Sequence, residues 1–212
     1  HIRVRLGSLE PRTITPEFCR RAAALPNLCP HFHLSMQSGC DSVLARMNRK
    51  YDSERYYESV RLLNEAYETP GITTDLIVGF PGETEEEFQQ TLAFIRRCAF
   101  SAMHIFPYSR RPGTPADGMP GQILNSVKEE RAHRAQQAAL EMEAAYLDRW
   151  VGRTVPVLFE EERDGLWRGH TTRYSEVAAP SGENLHNQLR QVYIIGRAGN
   201  ILQGELCEGQ EK

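Results

Sequence analysis

The sequence predicts an α/β chain: a parallel sheet assembled from βα units, followed by a small antiparallel β-barrel. Through roughly the first 150 residues, apolar runs of strand length alternate with runs of helix length, and this happens four times. Alternation of that kind builds parallel sheets with right-handed crossovers. After Trp150 it stops, and five short strand-like runs follow with turns in place of helices. The change of rhythm falls at 148–152 and divides the chain into residues 1–149 and 150–212. Four βα units suit an open sheet or an arc of a barrel, being half of a complete eight-unit barrel.

The first strand is expected at 2–6, where apolar residues alternate with arginine before a turn at Gly7-Ser8. Thr15-Pro16-Glu17 starts a helix, a hydroxyl cap followed by proline at the first helical position, leading into 18–25. The second strand is expected at 32–36, with helices at 41–47 and 53–67. Residues 72–80 form an apolar strand stopped by Pro81-Gly82. Thr84 and Glu87 make a capping box for a helix to about Cys98. A fourth strand occupies 102–107, and Ser126 with Glu129 is expected to cap a long helix reaching about Trp150. The barrel strands are expected at 155–159, 167–171, 176–179, 191–195 and 201–206, with turns at Asp164-Gly165, Ser181-Gly182 and Ala198-Gly199.

Composition narrows the function. The 212 residues are 40% hydrophobic and 25% charged, ordinary values for a folded chain. The net charge of −3 lacks the basic signature of a protein held to nucleic acid by bulk charge. Residues 151–212 are themselves acidic, with 7 Lys+Arg against 9 Asp+Glu. The longest apolar runs, such as 76–80, are far too short to span a bilayer, and no secretion signal is visible, so no membrane partner is expected. The five cysteines are scattered and odd in number, which fits cytoplasmic thiols better than a disulfide scaffold. The chain opens on His1 inside a strand-like run and reads as a fragment of a longer protein.

In parallel α/β folds ligands gather at the carboxyl ends of the strands. Those ends here are Gly7–Pro11, Gln37–Cys40, Gly79–Thr84 and Tyr108–Ala116, all rich in glycine and polar groups. One shared pocket is one reading, and ordinary turn and cap chemistry is the other. Asp75 shares a strand face with Ile77 and Gly79, and a carboxylate on a buried face needs a partner, either an arginine or a ligand. Gly79–Thr84 lacks the Gly-Lys-Ser/Thr of a phosphate loop and reads as a tight turn into a capped helix. Met47–Tyr51 reads as a solvated helix end. His31 and His33 show no metal-ligand pattern, so no metal site is expected within the chain.

Three stretches, in this order, carry a resemblance: HLSMQSGCDSVLARMNRKY at 33–51, TTDLIVGFPGET at 73–84 and FPYSRRPGTPA at 106–116. They resemble the radical S-adenosylmethionine (SAM) methylthiotransferases, which insert a methylthio group into tRNA adenosines or a ribosomal protein. The last sixty-odd residues, with VLFEE, GHTTRY and ENLHN, resemble the TRAM domain that follows that core. Gln37-Ser38 departs from the Gln-His of the ribosomal-protein branch, and RLGSLEP at 5–11 is similar to the branch acting on N6-threonylcarbamoyladenosine.

The resemblance implies a partial (βα) barrel of the radical SAM type, of which this chain carries the last four of six units. The Cys-x3-Cys-x2-Cys motif would lie upstream, since no cysteine here has that spacing. Two 4Fe–4S clusters would be ligated outside the chain, which alone should be inactive. S-adenosylmethionine would be held by Glu10, Gln37 with the adjacent Ser38, Arg49 and Asp75. Glu10 and Gln37 would bond its ribose and Arg49 its carboxylate. The intact enzyme's 5′-deoxyadenosyl radical would abstract hydrogen from C2 of the adenine before sulfur delivery. Tyr108, Arg111 and Thr114 would shape the nucleoside pocket, and Arg168, Arg173 and Tyr174 would grip the tRNA from the barrel. A reductant protein and a cytoplasmic setting complete that expectation. The alternatives are a non-catalytic RNA-binding module, or a branch acting on isopentenyladenosine or a ribosomal protein.

Overall fold

A computed structural model describes residues 2–207. Strands β1 (Val4–Leu9), β2 (Leu28–Leu34), β3 (Gly71–Val78) and β4 (Ala102–Pro107) form one parallel sheet in the order β1-β2-β3-β4. Helices α1 (Pro16–Ala23), α2 (Asp41–Arg46), α3 (Ser53–Ala66), α4 (Glu85–Cys98) and α5 (Asn125–Asp148) connect and flank it. Leu34, Leu76 and Val78 from the sheet meet Tyr56, Phe88 and Ile95 from the helices in one buried core.

The opposite face of the sheet is different. On β3 the residues Ile72, Thr74, Leu76 and Val78 are buried, while Thr73, Asp75 and Ile77 are only half-buried. The expectation of a buried carboxylate at Asp75 is therefore corrected: its face is half-open to solvent, and its partner is a histidine rather than an arginine. A run of apolar residues reads as buried on both sides, but here only the helix side is covered.

Several boundaries move for physical reasons. β1 continues through Gly7-Ser8 to Leu9, because Gly7 is absorbed at a register shift against β2 instead of turning the chain. β2 begins at Leu28, four residues early, with Pro30 lying where the pairing to β1 slips. Proline cannot donate to a ladder and is tolerated at such irregularities. The Thr84–Glu87 capping box forms as expected, and Arg46 Nη2 reaches Glu87 Oε2 at 2.6 Å, holding that carboxyl down at about 2. The expected cap on α5 does not form: the helix starts at Asn125, and Leu124 at its N-cap offers no side-chain bond.

The barrel closes in the order β5-β6-β7-β9-β8, from β5 (Thr154–Arg163), β6 (Leu166–Thr171), β7 (Glu176–Ala179), β8 (Leu189–Ala198) and β9 (Ile201–Leu206). It is not wholly antiparallel, since β7 pairs parallel with β9 to close the ring. Helix α5, about 36 Å long at the usual rise, ends inside this second core: Tyr146, Leu147 and the following Trp150 pack with Val157, Phe159 and Ile194.

Candidate functional site

The carboxyl end of β2 is pinned before it turns. The fully buried Tyr56 hydroxyl lies 3.0 Å from Leu34 O and 3.1 Å from Thr74 Oγ1, and Thr74 Oγ1 accepts the Met36 N–H at 3.1 Å. Tyr51 donates toward Ser35 O at 2.8 Å and Met36 O at 3.1 Å. Gln37 then bridges to β3, its N–H donating to Asp75 O and its carbonyl accepting from Ile77 N, both at 2.9 Å. So held, Gln37 adopts φ +68, a left-handed conformation that disfavours a residue with a Cβ. Strain in a residue that the surrounding structure over-determines is a feature of ligand sites.

Beside it a cavity of about 490 Å³ opens on the uncovered face of the sheet, lined by Gln37, Asp75, Ile77, Phe106, Arg111 and Thr114, with Tyr108 and Ser109 at its edge. Ile77 and Phe106, the latter 52% exposed, make an apolar wall. Asp75 supplies the acceptor. His33 Nε2 lies 3.3 Å from Asp75 Oδ2, and His33 Nδ1 lies 3.0 Å from Thr73 Oγ1, which orients the imidazole with its Nε2 proton toward the carboxylate. Arg111 has no ion-pair or hydrogen-bond partner for its side chain among the described residues.

The residues expected at the site divide into groups. Gln37, Asp75, Tyr108, Arg111 and Thr114 come together around this cavity. Glu10 and Arg49 do not line it. Both act on the Tyr51 phenol, which burial pushes up, Arg49 pulls down and Glu10 pushes up further. Glu10 is exposed and paired with Arg12 at 3.0 Å. Ser38 is corrected: it is 1% exposed, its hydroxyl 3.4 Å from Thr91 Oγ1 and accepting the Cys40 N–H at 3.2 Å, so it builds the turn beneath the cavity. Phe106 and His33 were missed as site residues. The two-residue period of their strands places them on the open face, but the sequence does not say which face lies open.

The three barrel residues also make contacts within the chain. Arg173 donates to Thr69 O and Glu68 O, both at 2.9 Å, and its guanidinium lies 4.6 Å from the Trp150 ring. Tyr174, at φ +64, is stacked on His170 at 4.4 Å, with Arg5 at 3.6 Å over its ring, and stays 49% exposed. Arg168 is paired with Glu176 at 2.9 Å. Arg173 and Tyr174 thus join the barrel to the amino end of the sheet. The β6–β7 turn approaches β3 so closely that a Cβ on Gly71 would stand 2.6 Å from Arg173 O.

No cluster of His, Cys, Asp or Glu suited to a metal occurs among the described residues. Four of the five cysteines are buried, and burial pushes the Cys98 thiol up to about 12. These thiols do not fit an iron–sulfur cluster. The cavity's donor set fits an adenosine-type cofactor: a glutamine on a strained backbone and a carboxylate stand beside the apolar Ile77 and Phe106.

Residues 2–95 match the radical SAM superfamily. The threonylcarbamoyladenosine tRNA methylthiotransferase of Bacillus subtilis is 35% identical over 91% of this chain and 44% of its own length. A tRNA-2-methylthio-N(6)-dimethylallyladenosine synthase of Oleidesulfovibrio alaskensis is 43% identical over 85% of this chain and 39% of its own length. The chain belongs to the radical SAM methylthiotransferases. It spans less than half the length of those curated relatives. Among solved structures, the radical SAM enzyme coproporphyrinogen III oxidase of Escherichia coli superposes with a TM-score of 0.54 at 20% identity, over 67% of this chain and 32% of that one, a likeness of fold. No helix among the described residues is long and apolar enough to cross a membrane.

Proposed function

We propose that this chain is the part of a tRNA methylthiotransferase that holds S-adenosylmethionine beside Gln37 and Asp75 and receives N6-threonylcarbamoyladenosine under the Tyr108–Ala116 loop. The observation that carries the reading is Gln37, held in a strained conformation by β3 at the mouth of the cavity that Asp75 also lines. In the intact protein the bound cofactor supplies hydrogen abstraction and a methyl group, with iron–sulfur ligands provided elsewhere. This chain's residues bind and orient. The Gln37 amide and Asp75 carboxylate meet the cofactor's polar groups, Glu10 and Arg49, both near Tyr51, are read as further cofactor contacts, and Ile77 and Phe106 exclude water. The barrel, residues 150–212, is read as a TRAM-type RNA-binding module whose contacts lie away from its junction with the sheet.

Two outcomes are expected. Gln37→Gly relieves the left-handed strain and leaves folding stability within about 1 kcal/mol, yet weakens S-adenosylmethionine binding about tenfold by calorimetry, as does Asp75→Asn. Unchanged affinity in both variants would reject the site.

The second outcome separates the two nucleoside branches. Threonylcarbamoyladenosine carries a carboxylate and the dimethylallyl nucleoside an apolar group, and Arg111 stands unpaired at the cavity. Arg111→Ala is therefore expected to weaken a threonylcarbamoyladenosine stem-loop about tenfold and a dimethylallyladenosine stem-loop less than about twofold. The reverse pattern would favour the other branch, to which the apolar wall of Ile77 and Phe106 is also suited.

A further inference from the structure

Lys128 is held against three unfavourable terms. It is 5% exposed and has no carboxylate or hydrogen-bond partner among the described residues. It also sits in the first turn of α5, where the helix dipole opposes a cation. Its stem lies across the backbone at the end of β3. A Cβ on Gly79, itself at φ +71, would stand 2.4 Å from Lys128 Cγ, so only glycine leaves room for this side chain. The ammonium ends 5.4 Å from the centroid of the Tyr108 ring, within the range of a cation–π contact. That ring packs edge-on against Phe80 at 5.3 Å, has a buried hydroxyl without a partner, and borders the cavity containing Gln37 and Asp75.

We infer that Lys128 is a positioning residue: its ammonium holds the Tyr108 ring and, through it, the 108–119 loop that walls the cavity. A side chain kept for packing alone would be apolar here, since methionine fills the same path without a charge. Tyr108 packs against the satellite core of Cys40, Val43 and Phe80 through an edge-on contact with Phe80. A cation at the ring adds a second, directional contact to that edge-on packing.

The test compares Lys128→Met and Lys128→Arg with the wild-type chain by thermal unfolding and amide hydrogen exchange. In Lys128→Met the melting temperature is expected to stay level or rise. The amides of Tyr108, Thr114, Asp117 and Met119, which bond to Val78, Arg111, Thr114 and Ala116, are expected to exchange about fivefold faster. Lys128→Arg should restore the protection, because a guanidinium also seats on an aromatic face. Exchange within about twofold of wild type in Lys128→Met, or a lowered melting temperature with exchange rising across the whole domain, would overturn the inference. Only the consequence for ligands rests on the proposed function: Lys128→Met should also bind S-adenosylmethionine about fivefold more weakly. A wild-type chain that binds no S-adenosylmethionine would sink that function while the exchange comparison still decides the role of Lys128.

Discussion

Replacing Arg131 with alanine is expected to cost the fold about 3–5 kcal/mol, a large share of the roughly 5–15 kcal/mol by which such domains are stable. Arg131 on α5 and Glu83 in the β3–α4 turn are 5% and 1% exposed at their side chains, with Nη1 2.8 Å from Glu83 Oε1 and 3.0 Å from Glu83 O. Glu83 Oε1 also accepts the Gly79 N–H at 2.8 Å. Burial already pushes the Glu83 carboxyl up, with the Gly79 N–H and Arg131 pulling it back. Truncating Arg131 leaves that carboxylate buried against one backbone N–H, and the turn at the carboxyl edge of β3 loses its tie to α5. Urea unfolding of the single variant measures the loss. The pair Arg131→Met with Glu83→Leu, which removes both charges at similar volume, should recover most of it. A double variant as unstable as Arg131→Ala would show that the pair's packing, rather than an orphaned charge, sets the cost.

Acidification is expected to weaken the domain junction through His31. This imidazole is 2% exposed, its ring centroid 5.6 Å from that of Tyr174 on the barrel, and its Nδ1 has no partner among the described residues. Burial, helped by the nearby Arg5 charge and the His33 ring, lowers its pKa from 6.5 to about 4. The folded pKa lies below the unfolded one, so as pH falls the unfolded chain takes up the proton first. His31 costs nothing above about pH 6.5, and stability is lost progressively down to about pH 4. The loss is on the order of 3 kcal/mol. Unfolding free energies of wild type and His31→Phe across this range isolate the contribution, because every other carboxylate and histidine is common to both. Parallel curves for the two proteins would refute it.

Much of this was legible in the chain itself. The strand–helix rhythm gave the parallel sheet, and the capping box of Thr84 and Glu87 gave the start of α4 to the residue. The strand-like runs after Trp150 located all five barrel strands, although β5 and β8 run longer than expected. The carboxyl-end rule singled out Gln37, Asp75 and the Tyr108–Ala116 loop, and these do meet around one cavity. Such features are readable because each depends on a local period, a cap or a turn residue that acts within a few positions along the chain.

What lay outside the sequence was decided by contacts between distant segments. Ser38 looked like a site residue because it follows Gln37, yet Thr91, far along the chain, takes it into the interior. Arg173 and Tyr174 looked free on a small barrel, yet α5 carries that barrel to the amino end of the sheet. There Thr69 and Glu68 hold Arg173, and Arg5 lies over the Tyr174 ring. The open face of the sheet, which exposes Asp75 and Phe106, follows from helices covering one side only. Local pattern tells which residues share a face. Only the packed structure decides what, if anything, covers it, because burial is a property of the neighbours that long-range folding brings.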